Sequence, residues 1–178
     1  MDELTELTSD DLTHLRRCVD LARKALANGD EPFGSVLVDP HGAVLHEDRN
    51  RTSDGDQTRH PELELARWAA AHVPPNVRPE CTVYTSGEHC PMCAAGHAWV
   101  GLGRIVYAGS TAQLIDWRHG WGKPGATALM GSGATGPAGM PQPCRQSTSW
   151  AVEAAYTIRP SPTQAWPAAH IGQCSPEV

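Results

Sequence analysis

Two short clusters constrain this chain more than anything else in it: His60-Pro61-Glu62 and Cys90-Pro91-Met92-Cys93. Each places proline directly after a side chain able to bind metal. Proline is at ease at the first position of a helix, where the N–H it lacks would have no intrahelical acceptor. Each cluster therefore reads as a helix start, and the β-rich run Cys81–Thr85 between them reads as a strand. In a helix–strand–helix unit whose helices run parallel, both N-termini can arrive at the same edge of the sheet. His60, Cys90 and Cys93 then converge, and three protein ligands leave the fourth tetrahedral position of Zn²⁺ to water, as in a catalytic site. The positive helix ends also favour thiolates over thiols.

Glu62 lies two positions beyond the histidine, within reach of a metal-held water without having to be a ligand. Zinc lowers the pKa of water from about 16 to roughly 7. A carboxylate beside that water can take its proton and pass it on, which is the chemistry of hydrolytic attack on an amino-bearing carbon.

The rest of the chain supplies the frame. Leu12, Leu15, Val19, Ala22 and Leu26 recur at helical spacing, predicting a helix over 9–28 capped by Thr8 or Ser9 and closed by Asn28-Gly29. Strands are expected at Phe33–Val38 and Ala43–Glu47, joined by the turn Asp39-Pro40-His41-Gly42, and again at Arg104–Ala108. Helices are expected from Pro61 to His72 and from Pro91 to about Gly101, and a last strand over Trp150–Ile158. Strands alternating with helices imply an α/β layered domain with a partly parallel sheet. At 178 residues the chain reads as a single domain over 1–178, with a core at 9–118, a Gly/Pro-rich irregular segment at 119–149 and a strand and tail at 150–178.

Composition narrows the partners. The net charge is −6, only Lys24 and Lys123 are lysines, and no cationic cluster exceeds Arg16-Arg17, which argues against nucleic acid. No apolar run approaches the roughly 18 to 20 residues of a membrane span. The acidic start MDELTELTSDD lacks the features of a signal peptide, so a cytoplasmic location is expected. Six cysteines in such a chain point to metal or catalysis before disulfides. Cys18 and Cys81 read as packed, and Cys144 and Cys174 as bystanders. Trp68 and Trp99 sit at core spacing; Trp117 and Trp166 fall in irregular regions where an indole can stack on a planar ring. His14 is expected at the surface, and Asp39, Asp48, Asp54 and Asp56 in solvated turns.

With 27 residues between Glu62 and Cys90, the H-x-E and C-P-x-C pair resembles the signature of the zinc-dependent cytidine deaminase superfamily. The likeness runs from Pro32-Phe33-Gly34 to Tyr107 and returns in the tail motif SPTQAW. Within the superfamily the run Ser86-Gly87-Glu88-His89-Cys90-Pro91-Met92-Cys93 is most similar to the bacterial guanine deaminase branch. The resemblance implies a three-layer α/β/α cytidine deaminase-like fold with a five-stranded mixed sheet, and a homodimer whose tail reaches the neighbouring active site. It implies His60, Cys90 and Cys93 as ligands of one zinc ion per chain and Glu62 as proton shuttle. Asn50 would hydrogen-bond the base, Phe33 would shape the pocket floor, and Asp116 would assist departure of ammonia. Two departures stand out: Pro61 replaces an alanine whose N–H reaches substrate, and His89 replaces a proline, making it a candidate pocket group.

The expected activity is hydrolytic deamination of a small free heterocycle: guanine, isoguanine, a cytosine analogue or an aminotriazine. A cytidine- or deoxycytidylate-type enzyme would need a ribose site, or Arg49 or Arg51 at a phosphate. A non-enzymatic alternative is a zinc-stabilised binding module, closed by His97 or His89 as fourth ligand.

Overall fold

A computed structural model describes residues 7–120 and 145–147. The first apolar stripe forms α1 (Ser9–Ala27), with Thr8 as N-cap. Thr8 and Asp11 make a reciprocal capping box: the Asp11 N–H donates to Thr8 Oγ1 at 3.1 Å, and the Thr8 N–H to Asp11 Oδ2 at 2.9 Å. The buried face is Leu15, Cys18, Val19, Leu21, Ala22 and Ala25; Leu26, expected on it, is exposed. Gly29, with φ +87°, turns the chain out of the helix.

Strands β1 (Gly34–Val38) and β2 (Val44–Arg49) form the expected hairpin. Its turn is shaped by Asp39, whose Oδ1 accepts the N–H groups of His41 and Ala43, both at 2.8 Å, and by Gly42 at φ +86°. Then follow α2 (Pro61–His72), β3 (Thr82–Gly87), α3 (Pro91–Val100) and β4 (Ile105–Gly109). The further helix α4 (Thr111–Gly120) has no apolar stripe and was not expected. A cap announces it: the Ser110 N–H donates to Gln113 Oε1 and the Gln113 N–H to Ser110 Oγ.

The full-length strands make a four-stranded mixed sheet in the order β2–β1–β3–β4. β1 is antiparallel to both neighbours, and β3 and β4 are parallel. This corrects the expected five-stranded sheet. The strand expected at 150–158 lies outside the described residues; among the described residues, a three-residue segment, Arg145–Ser147, runs parallel beside β4. Helix α1 covers one side of the sheet around Val36, Val38, Tyr84 and Val106. Helices α2 and α3 lie on the other, where Leu65, Ala66 and Ala69 of α2 pack against Leu37 and Val83. Gly34 permits the close seating of α1, since a Cβ there would lie 2.4 Å from Leu21 Cβ.

Three aromatic and acidic side chains depart from expectation. Trp99 is 78% exposed, because Cys93 and His97 define the buried face of α3 and residue 99 lies about 200° around the helix from His97. Trp68 is only partly buried, its indole stacked between the rings of His46 and His72. Asp48 is buried and paired with Arg51.

Asp11 ties the layers together. Its buried carboxylate accepts the Tyr84 hydroxyl at 2.7 Å and the Arg104 guanidinium at 3.0 Å, linking α1 to β3 and the start of β4. Burial raises its pKa, but the Tyr84 and Thr8 hydrogen bonds and the Arg104 charge outweigh it and hold the carboxyl below the usual range. Its contribution to stability is therefore complete above about pH 4 and is lost as pH falls through the lowered folded-state pKa. Asp11→Asn should cost about 2 kcal/mol at neutral pH in urea denaturation, because the Tyr84 hydroxyl and the Arg104 guanidinium lose their hydrogen bonds to a buried carboxylate. The variant should also lose part of the wild-type decline in stability below pH 4.

Candidate active site

The C-terminal ends of β3 and β4 and the start of the antiparallel β1 share one edge of the sheet. Both helix starts arrive there: His60 is the N-cap of α2, Cys90 is the N-cap of α3, and Cys93 lies in the first turn of α3, with Pro61 and Pro91 at the first helical positions. The two helices pack side by side through Gly96, where a Cβ would meet Leu63 Cδ1 at 2.8 Å.

The three donors form a nearly equilateral triangle. Cys90 Sγ lies 3.5 Å from Cys93 Sγ, and each sulfur lies 3.6 Å from His60 Nδ1. A tetrahedral centre with bonds of about 2.3 Å to sulfur and about 2.0 Å to nitrogen sets its donors roughly 3.8 Å (S–S) and roughly 3.5 Å (N–S) apart. The triangle therefore fits zinc in both size and donor chemistry. No fourth His, Cys or carboxylate joins the cluster among the described residues. His97, the candidate fourth ligand of a closed site, instead hydrogen-bonds the Gly103 carbonyl through Nε2 at 2.9 Å, and burial depresses its pKa. The Cys93 thiol directed at Cys90 holds the Cys90 pKa down to about 4, against the effect of burial and with help from His60. Hydrogen bonding to Cys90 raises the pKa of His60.

Glu62, in the first turn of α2, is buried beside this triangle. Its Oε2 lies 3.6 Å from Cys93 Sγ, while Oε1 accepts the Thr85 hydroxyl at 2.8 Å and the Ser35 hydroxyl at 3.1 Å. Burial raises its pKa above the ordinary carboxylate value.

A pocket opens over His60, Glu62 and Cys90, with apolar walls from Phe33, Leu114 and Trp117. Gly87 makes room for one wall, since a Cβ there would lie 2.8 Å from Phe33 Cε1. Of the residues singled out in the sequence, His60, Glu62, Cys90, Cys93, Phe33 and Trp117 are thus brought together. Asn50 is fully buried next to Phe33, to whose carbonyl its N–H donates at 3.0 Å. Its Oδ1 accepts from the Thr52 N–H and hydroxyl, leaving Nδ2 without a partner among the described residues. His89 is buried edge-on to the ring of His97 and does not line the pocket. Asp116 is exposed on α4, and Trp166 lies outside the described residues. Sequence reasoning missed Leu114, Ser86, Ser110 and Glu88 as lining residues. Glu88 also accepts the Thr111 N–H at 2.9 Å, which anchors the start of α4 at the pocket rim. The Ser110–Gln113 capping box was the available signal for that wall. His60→Ala, Cys90→Ser and Cys93→Ser should each lose bound zinc, measured by elemental analysis after gel filtration, whereas Glu62→Gln should retain it.

Residues 8–109 match the sequence pattern of the cytidine and deoxycytidylate deaminase zinc-binding region. The chain is 35% identical over 113 residues to the probable cytosine deaminase of Schizosaccharomyces pombe, covering 62% of this chain and 67% of that one. It is 34% identical over 102 residues to the tRNA(Ile)-lysidine synthase of Deinococcus deserti, covering 57% of this chain but only 19% of that protein. The X-ray structure of guanine deaminase from Bacillus subtilis superimposes with a TM-score of 0.53 at 30% identity, covering 62% of this chain and 70% of that one. With its His/Cys/Cys donor triangle and a match across more than half its length, the chain belongs to the cytidine and deoxycytidylate deaminase zinc-binding family.

Proposed function

We propose that this chain hydrolytically deaminates a small free aminated heterocycle of the guanine or cytosine type, using one zinc ion held by His60, Cys90 and Cys93. The observation that carries the reading is the placement of Glu62: a buried carboxylate whose Oε2 faces an open three-donor metal site at the base of an apolar slot. When bound, zinc supplies the Lewis acidity that makes water a nucleophile near neutral pH. Glu62 takes one proton from water and delivers it to a ring nitrogen as the hydroxyl bonds to the amino-bearing carbon; it then takes the remaining proton of that hydroxyl and hands it to the amine, so that the C–N bond breaks, a C=O remains and ammonia leaves.

Phe33, Leu114 and Trp117 in the pocket lining suit a flat ring. The Asn50 amide nitrogen, buried outside that lining and without a partner among the described residues, is a candidate donor for a base acceptor. Pro61 offers no N–H, so recognition rests on side chains more than on the start of α2. The free-base reading is supported by the arginines that could otherwise hold a phosphate. Arg49 is paired with buried Asp30 at 3.1 Å, Arg51 is paired with Asp48, and neither lines the pocket. It is supported too by two relatives matched over two thirds or more of their own length, named as a probable cytosine deaminase and a guanine deaminase. We take residues 1–178 as a single deaminase domain that assembles as a homodimer, for which the exposed Trp99 on α3 is a suitable contact.

Ammonia release across a panel of free bases, nucleosides and nucleotides tests the proposal. A free base should give the highest kcat/KM, and Glu62→Gln should lower it by about 10³-fold while zinc stays bound. Arg51→Ala should leave free-base turnover within about twofold, as expected of a residue that touches no substrate. Preference for a nucleotide, together with a steep loss in Arg51→Ala, would overturn the free-base assignment.

A further inference from the structure

The sheet face beneath α2 and α3 is apolar where Leu37 of β1 and Val83 of β3 pack against Leu65, Ala66 and Ala69. Two residues nearer the site edge, the same face carries Ser35 and Thr85. They lie directly opposite each other in the β1–β3 ladder, and both are fully buried. Hydroxyls in such a place destabilise the fold unless they are hydrogen-bonded. Thr85 Oγ1 donates to Glu62 Oε1 at 2.8 Å, and Ser35 Oγ, 3.1 Å from Oε1 and 2.9 Å from Thr85 Oγ1, shares its one proton between these two acceptors. Oε2 receives neither and faces the donor triangle. The two carboxylate oxygens are therefore inequivalent, one bound to the sheet and one turned to the site.

We propose that Ser35 and Thr85 are positioning residues that pin Glu62 Oε1, so that Oε2 alone handles the proton of the reaction. The assignment rests on the deaminase reading above. An O–H bond of water breaks as Oε2–H forms; Oε2–H then breaks as an N–H bond forms on the ring. Oε1 can accept hydrogen bonds from the hydroxyls throughout, as a carboxylate oxygen before the first transfer and as the carbonyl oxygen of the acid after it. The latch thus holds the orientation of the group in both protonation states and contributes no proton of its own. A carboxylate free to rotate would present either oxygen and spend part of its time misaligned, at a cost in rate and little cost in substrate affinity.

The test compares Ser35→Ala, Thr85→Val and Thr85→Ser. The first two should each lower kcat about tenfold, roughly what one hydrogen bond to a charged group is worth. KM should stay within about twofold and zinc content should be unchanged, while Thr85→Ser, which keeps the hydroxyl, should retain most of kcat. Independently of turnover, infrared spectra of ¹³C-glutamate-labelled protein, taken as differences from Glu62→Gln, should show the Glu62 carboxyl band shifted in Ser35→Ala and Thr85→Val and restored in Thr85→Ser. An unshifted band, or a Thr85→Ser variant as impaired as Thr85→Val, would overturn the proposal. If the wild type is inert toward every base, the deaminase reading fails, and the infrared band still decides whether the hydroxyls hold Glu62.

Discussion

Everything in the site depends on two helices beginning at the same height on one sheet edge. Three donors from two helices can sit 3.5 to 3.6 Å apart only if α2 and α3 are fixed against each other to within a few tenths of an ångström. β3 leads directly into α3, and α2 is packed on the same sheet face through Leu65, Ala66 and Ala69. Gly96 lets the helices touch, and the two prolines fix the backbone at each helix start. Glu62 then needs only its place in the first turn of α2 to stand between the sheet hydroxyls and the donors.

The loop leading into α2 has its own restraints, and they are electrostatic. Asp30, buried just after α1, accepts the Ser53 N–H at 2.9 Å and the Arg49 guanidinium at 3.1 Å. Asp48 holds Arg51, and Asn50 is locked between Phe33 and Thr52. The charges of this segment thus shape the segment itself, and its arginines are occupied before any ligand arrives. An acidic chain with few lysines directs much of its positive charge to structure, as Arg104 does on Asp11.

The metal donors and Glu62 were legible because their evidence is local: residue type, proline placement and a spacing that brackets one strand. The hairpin was legible for the same reason, through Asp39 and Gly42. What escaped notice was set by tertiary packing. Helix α4 carries a cap but no stripe, so periodicity passes over it. Trp99 has the spacing of a core residue, yet the buried side of α3 is decided by where Cys93 and His97 must point. The number of sheet strands depends on edge pairing between distant segments, which no local pattern records. Ser35 was invisible as well: within the short run GSVLV it reads as a tolerated small residue, and only the partner strand and Glu62 reveal what its hydroxyl touches.

The donor triangle also bears on which ion the protein accepts. Two of its edges run between α2 and α3 and the third lies within the first turn of α3, so its size follows helix geometry and helix packing and would respond to ionic radius. A larger soft cation needs longer bonds to sulfur, and longer bonds need wider donor spacing, which α2 and α3 can supply only by separating along a contact as close as Gly96 against Leu63. A small hard cation meets the opposite mismatch, because two sulfurs and an imidazole replace the oxygens it prefers. A preference among metals would in this sense rest on the packing of the hydrophobic core, at a distance from the donors themselves.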